Sequence, residues 1–307
     1  MTEQSASESS TQVSRVGDEV FDPSMKESSA QYWTRINVTD HQLFKSKEES
    51  LDFFDWRCRA YSNYLECMPV EGFDGHEILD FGCGPGHDLV GFAHFSKPKR
   101  LVGVDVSPTS LAEAHHRLRL HNARVQLMVA KENQLPLPLD AESFDLIHCS
   151  GVLHHTPDPV AILREFRRLI RANGRVQVMV YNRDSLFVHL HVAYHLIFKT
   201  PGFEQLSLPD AFRRATDGPN CPISRFYGPA EFLELAASAG FSGRLAGCSV
   251  SLSELNLIPT RTAALGEPKF PAESRRFLYE LTFDAKGRPL HGEHIAGIGA
   301  CFHLTPR

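Results

Sequence analysis

No run of apolar residues in this 307-residue sequence approaches the roughly 18 needed to span a bilayer. The opening stretch, MTEQSASESSTQVSRVGDEV, has no apolar centre like that of a secretory signal, and it is too acidic for a transit peptide. Basic charge is not in excess either. The 32 Lys and Arg stand against 37 Asp and Glu, a formal net charge of −5, so no basic field advertises nucleic acid or an anionic membrane. The seven cysteines (Cys58, Cys67, Cys83, Cys149, Cys221, Cys248 and Cys301) are scattered and never spaced C-x-x-C. They read as reduced thiols, not as zinc ligands or a disulfide framework. No internal repeat is present. Together these absences give the expectation of a soluble, cytoplasmic protein without a metal.

What the sequence does hold is an apolar share of 42%, enough for an ordinary core. Residues 1–29 are rich in Ser, Glu and Thr without periodicity, which predicts a disordered tail. From Glu49 to Met68 apolar and aromatic side chains fall at helical spacing, and residues 30–74 are expected to form a helical cap. Strands and helices then alternate. EILDF, RLVGVDV, VQLMVA, FDLIHCS and RVQVMVYN predict strands; the intervening stretches predict helices from Gly86 to about His94, from Pro108 onward, and from about Pro159 to Arg171. Ser107 is a plausible cap before Pro108, and the ANG after Arg171 is a glycine stop signal. Such alternation means a doubly wound α/β domain over residues 75–307. After the helix GPAEFLELAASAGF come two further strands, GRLAGCSVSL and AGIGACFHLT, with no simple crossover helix between them, so they can pair antiparallel. Two stretches, about 183–226 and 254–293, look like additions to the bare sheet, emerging over its ligand edge as lid insertions.

The first strand runs into Asp80-Phe81-Gly82-Cys83-Gly84-Pro85-Gly86. In doubly wound sheets the ligand sits at the carboxyl ends of the strands, and glycines there admit positive φ and close backbone approach. A dinucleotide fingerprint would put its third glycine at His87 or Leu89, and both registers fail. No Gly-Lys-Ser/Thr follows, so a P-loop fails too. Asp80 beside the loop would repel a pyrophosphate and suits an ammonium, with a carboxylate near the glycine amides. Asp105, ending RLVGVDV, suits the two hydroxyls of a ribose. S-adenosylmethionine carries all three groups.

Asp80-x-Gly82-x-Gly84-x-Gly86, then Asp105, then LPLPLDAESFDLIHCSGVLHHTPDP, resembles the class I S-adenosylmethionine-dependent methyltransferases of the type 11, ubiquinone-biosynthesis-like group. The similarity covers about residues 75 to 180. It implies a Rossmann-like, seven-stranded sheet ending in an antiparallel hairpin. It also implies that Asp80, Gly82, Cys83, Gly84 and Gly86 surround the methionine end, that Asp105 binds ribose, and that Val106 and Ser107 lie beside the adenine. Where the family often has Asp-Ala before x-x-Leu-Pro, this chain has Lys131 and Glu132, so the adenine contact shifts to Glu132 or to backbone groups. Ser150 and Gly151 fall near the transferred methyl.

His154 and His155 follow that strand, and either can serve as a general base, His154 being slightly favoured. His189, His191 and His195 hint at a metal, but one helix cannot converge all three, so a lid or core helix is expected. Tyr181, Arg183, Arg225 and Tyr227 lie where an insertion joins the sheet and are candidate acceptor contacts. The expected activity is methyl transfer to a small-molecule acceptor by a monomer or homodimer, with oxygen favoured over a quinone-like ring carbon as the methylated atom. A non-catalytic S-adenosylmethionine-binding partner protein is the alternative of another class.

Overall fold

Apolar residues that alternate along each central strand divide between two faces, and both faces are covered. In the computed structural model, which describes residues 27–131 and 134–307, Leu79, Val102 and Ile147 enter one buried cluster, while Ile78, Leu101 and Leu146 enter another. This is the signature of a sheet with helices on each side. Its strands are β1 (Tyr61–Ser62), β2 (Glu77–Phe81), β3 (Arg100–Asp105), β4 (Gln126–Val129), β5 (Phe144–Ser150), β6 (Ile170–Tyr181), β7 (Phe241–Ser251) and, after a small antiparallel sheet of β8 (Thr282–Phe283), β9 (Pro289–His291) and β10 (His294–Ile295), the last strand β11 (Gly299–Pro306). The order is β1-β7-β11-β6-β5-β2-β3-β4. Strands β2 to β6 run parallel, whereas β11 lies antiparallel between β6 and β7.

All seven expected strands are present, so the Rossmann-like reading with its antiparallel end holds. The eighth is the two-residue β1, which pairs with the edge of β7. The glycine stop is a correction. Helix α6 ends at Leu169, and Ala172-Asn173-Gly174 lies inside β6. Gly174 serves packing instead, since a Cβ there would fall 2.7 Å from Ile170.

Helices α1 (Ser29–Arg35), α2 (Lys47–Ala60) and α3 (Tyr64–Cys67) precede β2, with β1 between α2 and α3. Residues 1–26, most of the expected tail, lie outside the described residues. Ser28 caps α1 in a capping box with Gln31, so the tail's expected end at residue 29 falls inside an ordered helix start. Crossovers are α4 (His87–Phe95), α5 (Pro108–Leu120) and α6 (Pro159–Leu169). After β6 the chain makes a π-wound helix (Phe187–Phe198) and α7 (Leu208–Ala215); α8 (Pro229–Ser238) then leads to β7. Between β7 and β11 lie α9 (Leu252–Leu255), α10 (Arg261–Gly266) and α11 (Ala272–Glu280). Among the described residues no helix is long and apolar enough to cross a membrane.

Candidate active site

A cavity of about 910 Å³ lies at the carboxyl ends of the parallel strands, walled by the glycine loop, the cap and both insertions. The glycines of the loop do different work. Gly82 and Gly84 are left-handed, with φ of +75° and +50°. A Cβ on Gly82 would lie 2.2 Å from Val152 Cγ2, whereas one on Gly84 would meet nothing within 4 Å. Gly82 therefore lets the protein close on itself, and Gly84 keeps space clear in front of the loop. Gly86 caps α4, away from the cavity wall.

The loop amides are spent internally. Gly82 and Cys83 donate to the Val104 carbonyl (2.7 and 3.1 Å), Gly86 to that of Cys83 (2.9 Å), and Gly84 to Asp105 Oδ2 (2.8 Å). This corrects the expectation that they receive a carboxylate. Asp105 also accepts from the Ser107 amide at Oδ1 (2.8 Å), so each oxygen keeps a lone pair for the cavity. Burial pushes its carboxyl up; the amides of Ser107, Gly84 and Val106 oppose that. Cys83 and Val106 line the cavity. Ser107 does not; its hydroxyl caps α5.

Beside Asp105 the wall continues through Ala130, Lys131 and Leu137. Helix α6 pins this stretch: the Leu137 amide donates to Glu165 (2.8 Å), and Arg168 donates to the carbonyls of Leu139 (2.9 Å) and Leu137 (3.1 Å). Glu132 lies outside the described residues.

At the other end of the loop Asp80 is buried behind the wall and does not line the cavity. Burial raises its carboxyl to about 8, against the pull of His148. The acid that faces the cavity is Asp88, on α4. Burial works against its charge, but His148, with Nε2 3.2 Å from Asp88 Oδ2, outweighs it and holds the carboxyl below the usual range. Its Oδ1 is buried with no partner. The Tyr64 hydroxyl, from α3, donates to Asp88 Oδ2 (3.0 Å) and lies 2.8 Å from Ser150 Oγ. Arg57, also on the wall, sits 5.5 Å over the Tyr61 ring and makes no ion pair among the described residues.

Beyond Ser150 the chain turns at Gly151 into a short helical turn carrying both histidines. His154 is buried off the cavity. Its ring stacks on Tyr181 at 3.8 Å, its Nδ1 accepts from the Tyr181 amide (3.3 Å), and burial holds it well below the ordinary histidine value. His155 lines the cavity. Its Nδ1 lies 2.6 Å from the Ile223 carbonyl, and its Nε2 3.4 Å from Asp217 Oδ2. A carbonyl only accepts, so Nδ1 carries the hydrogen and Nε2 is the basic nitrogen of the neutral ring. Asp217 is fixed by the Tyr181 hydroxyl, 2.9 Å from both its oxygens, and its own carbonyl accepts from Tyr32 of α1. The Trp33 ring covers His155 at 4.8 Å.

Residues 78–174 match the methyltransferase domain family. The ubiquinone biosynthesis O-methyltransferase of Alkalilimnicola ehrlichii is 29% identical over 179 residues, 53% of this chain and 69% of that protein. Its counterpart from Aeromonas salmonicida is 30% identical over 115 residues, 37% of this chain and 46% of that protein. The chain carries a methyltransferase domain and is similar to the S-adenosylmethionine-dependent enzymes of class I. A solved geranyl diphosphate C-methyltransferase from Streptomyces coelicolor, at 14% identity, shares the fold with a TM-score of 0.50 over 91% of this chain and 96% of that one.

The residues of this methyltransferase fit its cofactor, S-adenosylmethionine. Gly84 leaves room, Asp105 offers two oxygens, and among the described residues Asp88 Oδ1 is a buried acceptor without a donor and Arg57 a cation without an ion pair. Of the four candidate acceptor contacts only Tyr181 lines the cavity. Arg183 pairs with Glu231, Arg225 holds the Thr156 carbonyl (2.7 Å), and Tyr227 packs in the core. Sequence reasoning passed over Asp88, Tyr64, Arg57 and Asp217. Only Asp217 carried a signal, the turn-forming Asp-Gly-Pro within ATDGPNCP.

Proposed function

We propose that this methyltransferase methylates a phenolic hydroxyl of a small, planar, mostly apolar acceptor, with His155 and Asp217 taking its proton. The observation that carries the reading is the His155–Asp217 pair, set on the cavity wall just past Ser150 and Gly151. Aromatic walls from Trp33, Tyr61, Tyr181 and Phe187 support a ring as the occupant. The curated relatives named above act as O-methyltransferases in ubiquinone biosynthesis, which supports oxygen as the methylated atom.

Asp105 holds the ribose, Asp88 and Tyr64 the ammonium end, and Arg57 the methionine carboxylate. When bound, S-adenosylmethionine supplies a methyl carbon on a positively charged sulfur and leaves as S-adenosylhomocysteine. His155 Nε2 accepts the phenol proton as the oxygen–carbon bond forms. Asp217 faces the imidazolium so produced, and Tyr181 and Tyr32 keep Asp217 in place. The Ile223 carbonyl fixes the ring's orientation. Trp33 and the insertions exclude water, and the proton leaves to solvent when product departs. The scattered free thiols support a reducing, cytoplasmic setting.

The test uses methyl-labelled S-adenosylmethionine with a panel of simple phenols and with a bacterial extract, product being identified by mass spectrometry. The expectation is an aryl methyl ether, with His155→Ala and Asp217→Asn lowering kcat about 100-fold or more while cofactor affinity stays within threefold. Label on a ring carbon, in RNA or in protein would overturn the acceptor reading, and full activity of both variants would overturn the proton route.

A further inference from the structure

Three histidines on the π-wound helix remain outside the mechanism, and the structure separates them. His189 Nδ1 is 3.0 Å from Ser274 Oγ, and its ring stacks on Phe277 at 4.2 Å. His195 Nε2 is 2.9 Å from Thr260 Oγ1. Both serve packing of the insertions. His191 alone of the three lines the cavity, and neither of its nitrogens has a hydrogen-bond partner among the described residues.

Its place on the wall is informative. The His155 ring meets Tyr181 at 5.6 Å, Tyr181 meets Phe212 at 5.6 Å, Phe212 meets Phe187 at 5.7 Å, and Phe187 meets His191 at 4.9 Å. Phe187 and His191, four residues apart, lie on one side of this helix. Tyr181 beside His155 and Phe187 beside His191 both line the cavity, and both pack on the buried Phe212 behind it. Burial, then the neighbouring His195, lowers His191 to about 4, so near neutral pH it offers one N–H and one lone pair.

We propose that His191 selects the acceptor, hydrogen-bonding to an oxygen remote from the one that is methylated, so that the preferred acceptor is a ring compound with two oxygen functions. This rests on the phenol reading above. An imidazole in a mostly apolar wall discriminates strongly against an analogue that lacks the matching oxygen, because its own polar atoms are then left unpaired.

Three shape-matched pairs test it: catechol with o-cresol, hydroquinone with p-cresol, and 4-hydroxybenzyl alcohol with 4-ethylphenol. The wild-type protein is expected to favour the two-oxygen member of at least one pair by 10-fold or more in kcat/KM, mostly through KM. His191→Leu should bring that ratio to about one, and His191→Gln, which keeps a donor and an acceptor, should retain most of it. A ratio unchanged in His191→Leu, or a wild-type ratio near one for every pair, overturns the inference and leaves the phenol reading standing. Methylation of none of the six compounds overturns both.

Discussion

Replacing Gly82 and Gly84 one at a time should separate folding from cofactor binding, although only Cys83 stands between them. Both are left-handed, so any L side chain costs about 1–2 kcal/mol in backbone strain at either site. At Gly84 that is the whole cost to the fold, because a Cβ there meets no protein atom within 4 Å. At Gly82 the new Cβ would lie 2.2 Å from Val152 Cγ2 and 2.9 Å from Cγ1, an overlap adding about 1–3 kcal/mol. Gly82→Ala should therefore unfold several degrees below Gly84→Ala in a thermal melt. Binding should rank the other way. Gly84→Val fills the space in front of the loop and should weaken S-adenosylhomocysteine binding at least 100-fold by calorimetry while the protein stays folded. Adding Val152→Ala to Gly82→Ala removes both Cγ contacts, leaves the residue 152 Cβ at 3.0 Å, and should recover most of the overlap cost but not the strain, a coupling visible in a double-mutant cycle. Wild-type affinity in Gly84→Val would refute the reasoning about the loop. Equal melting temperatures for the two alanine variants would refute the close approach of Val152.

Three further outcomes follow from the same geometry. Asp105→Asn loses a charged acceptor of two hydrogen bonds and should raise the Kd for S-adenosylmethionine about 30-fold, on the order of 2 kcal/mol; an unchanged Kd would remove the ribose assignment. Arg57→Met should weaken binding of S-adenosylmethionine about 10-fold but leave adenosine, which has no carboxylate, unaffected, and equal losses for both would place Arg57 elsewhere. His41, whose Nε2 meets the Arg35 carbonyl and whose Nδ1 meets Glu113, titrates above its ordinary value in the folded protein. Its stabilising contribution is then complete below about pH 6.5 and is lost as pH rises through the folded value. The melting-temperature gap between wild type and His41→Ala should narrow from pH 6 to pH 8.5, and a constant gap would show that His41 acts without its charge.

The sheet and its glycine loop were legible because the signals are local. Short apolar runs mark the strands, Asp80 to Gly86 span one turn, and Asp105 ends the adjacent strand, so the parallel pairing of β2 with β3 brings the two together. The failures share a different cause. Asp80 was assigned by its nearness in sequence, yet a strand residue alternates between faces, and Asp80 points into the buried layer while Asp88 faces the cavity. Arg183 and Arg225 were judged by charge alone, and each is consumed by a partner that no local pattern reveals, Glu231 and the Thr156 carbonyl.

The pair His154–His155 shows the limit most sharply. Adjacent in sequence and identical in chemistry, they differ only in surroundings that three distant segments supply. Residues 217 and 223 of the insertion after β6 bring Asp217 and the Ile223 carbonyl to His155; Trp33 of the cap covers its face; and Tyr181 at the end of β6 stacks on His154 and removes it from the cavity. Tyr181 touches both histidines and Asp217. Its ring blocks one base while its hydroxyl positions the carboxylate behind the other. Tyr181→Phe separates these roles, because it keeps the stacking and loses only the hydroxyl. If Asp217 stabilises the imidazolium, that variant should lower kcat by about 10-fold with KM and cofactor affinity little changed. A variant as active as the wild type would mean that Asp217 needs no positioning, and the proton route would then rest on His155 alone.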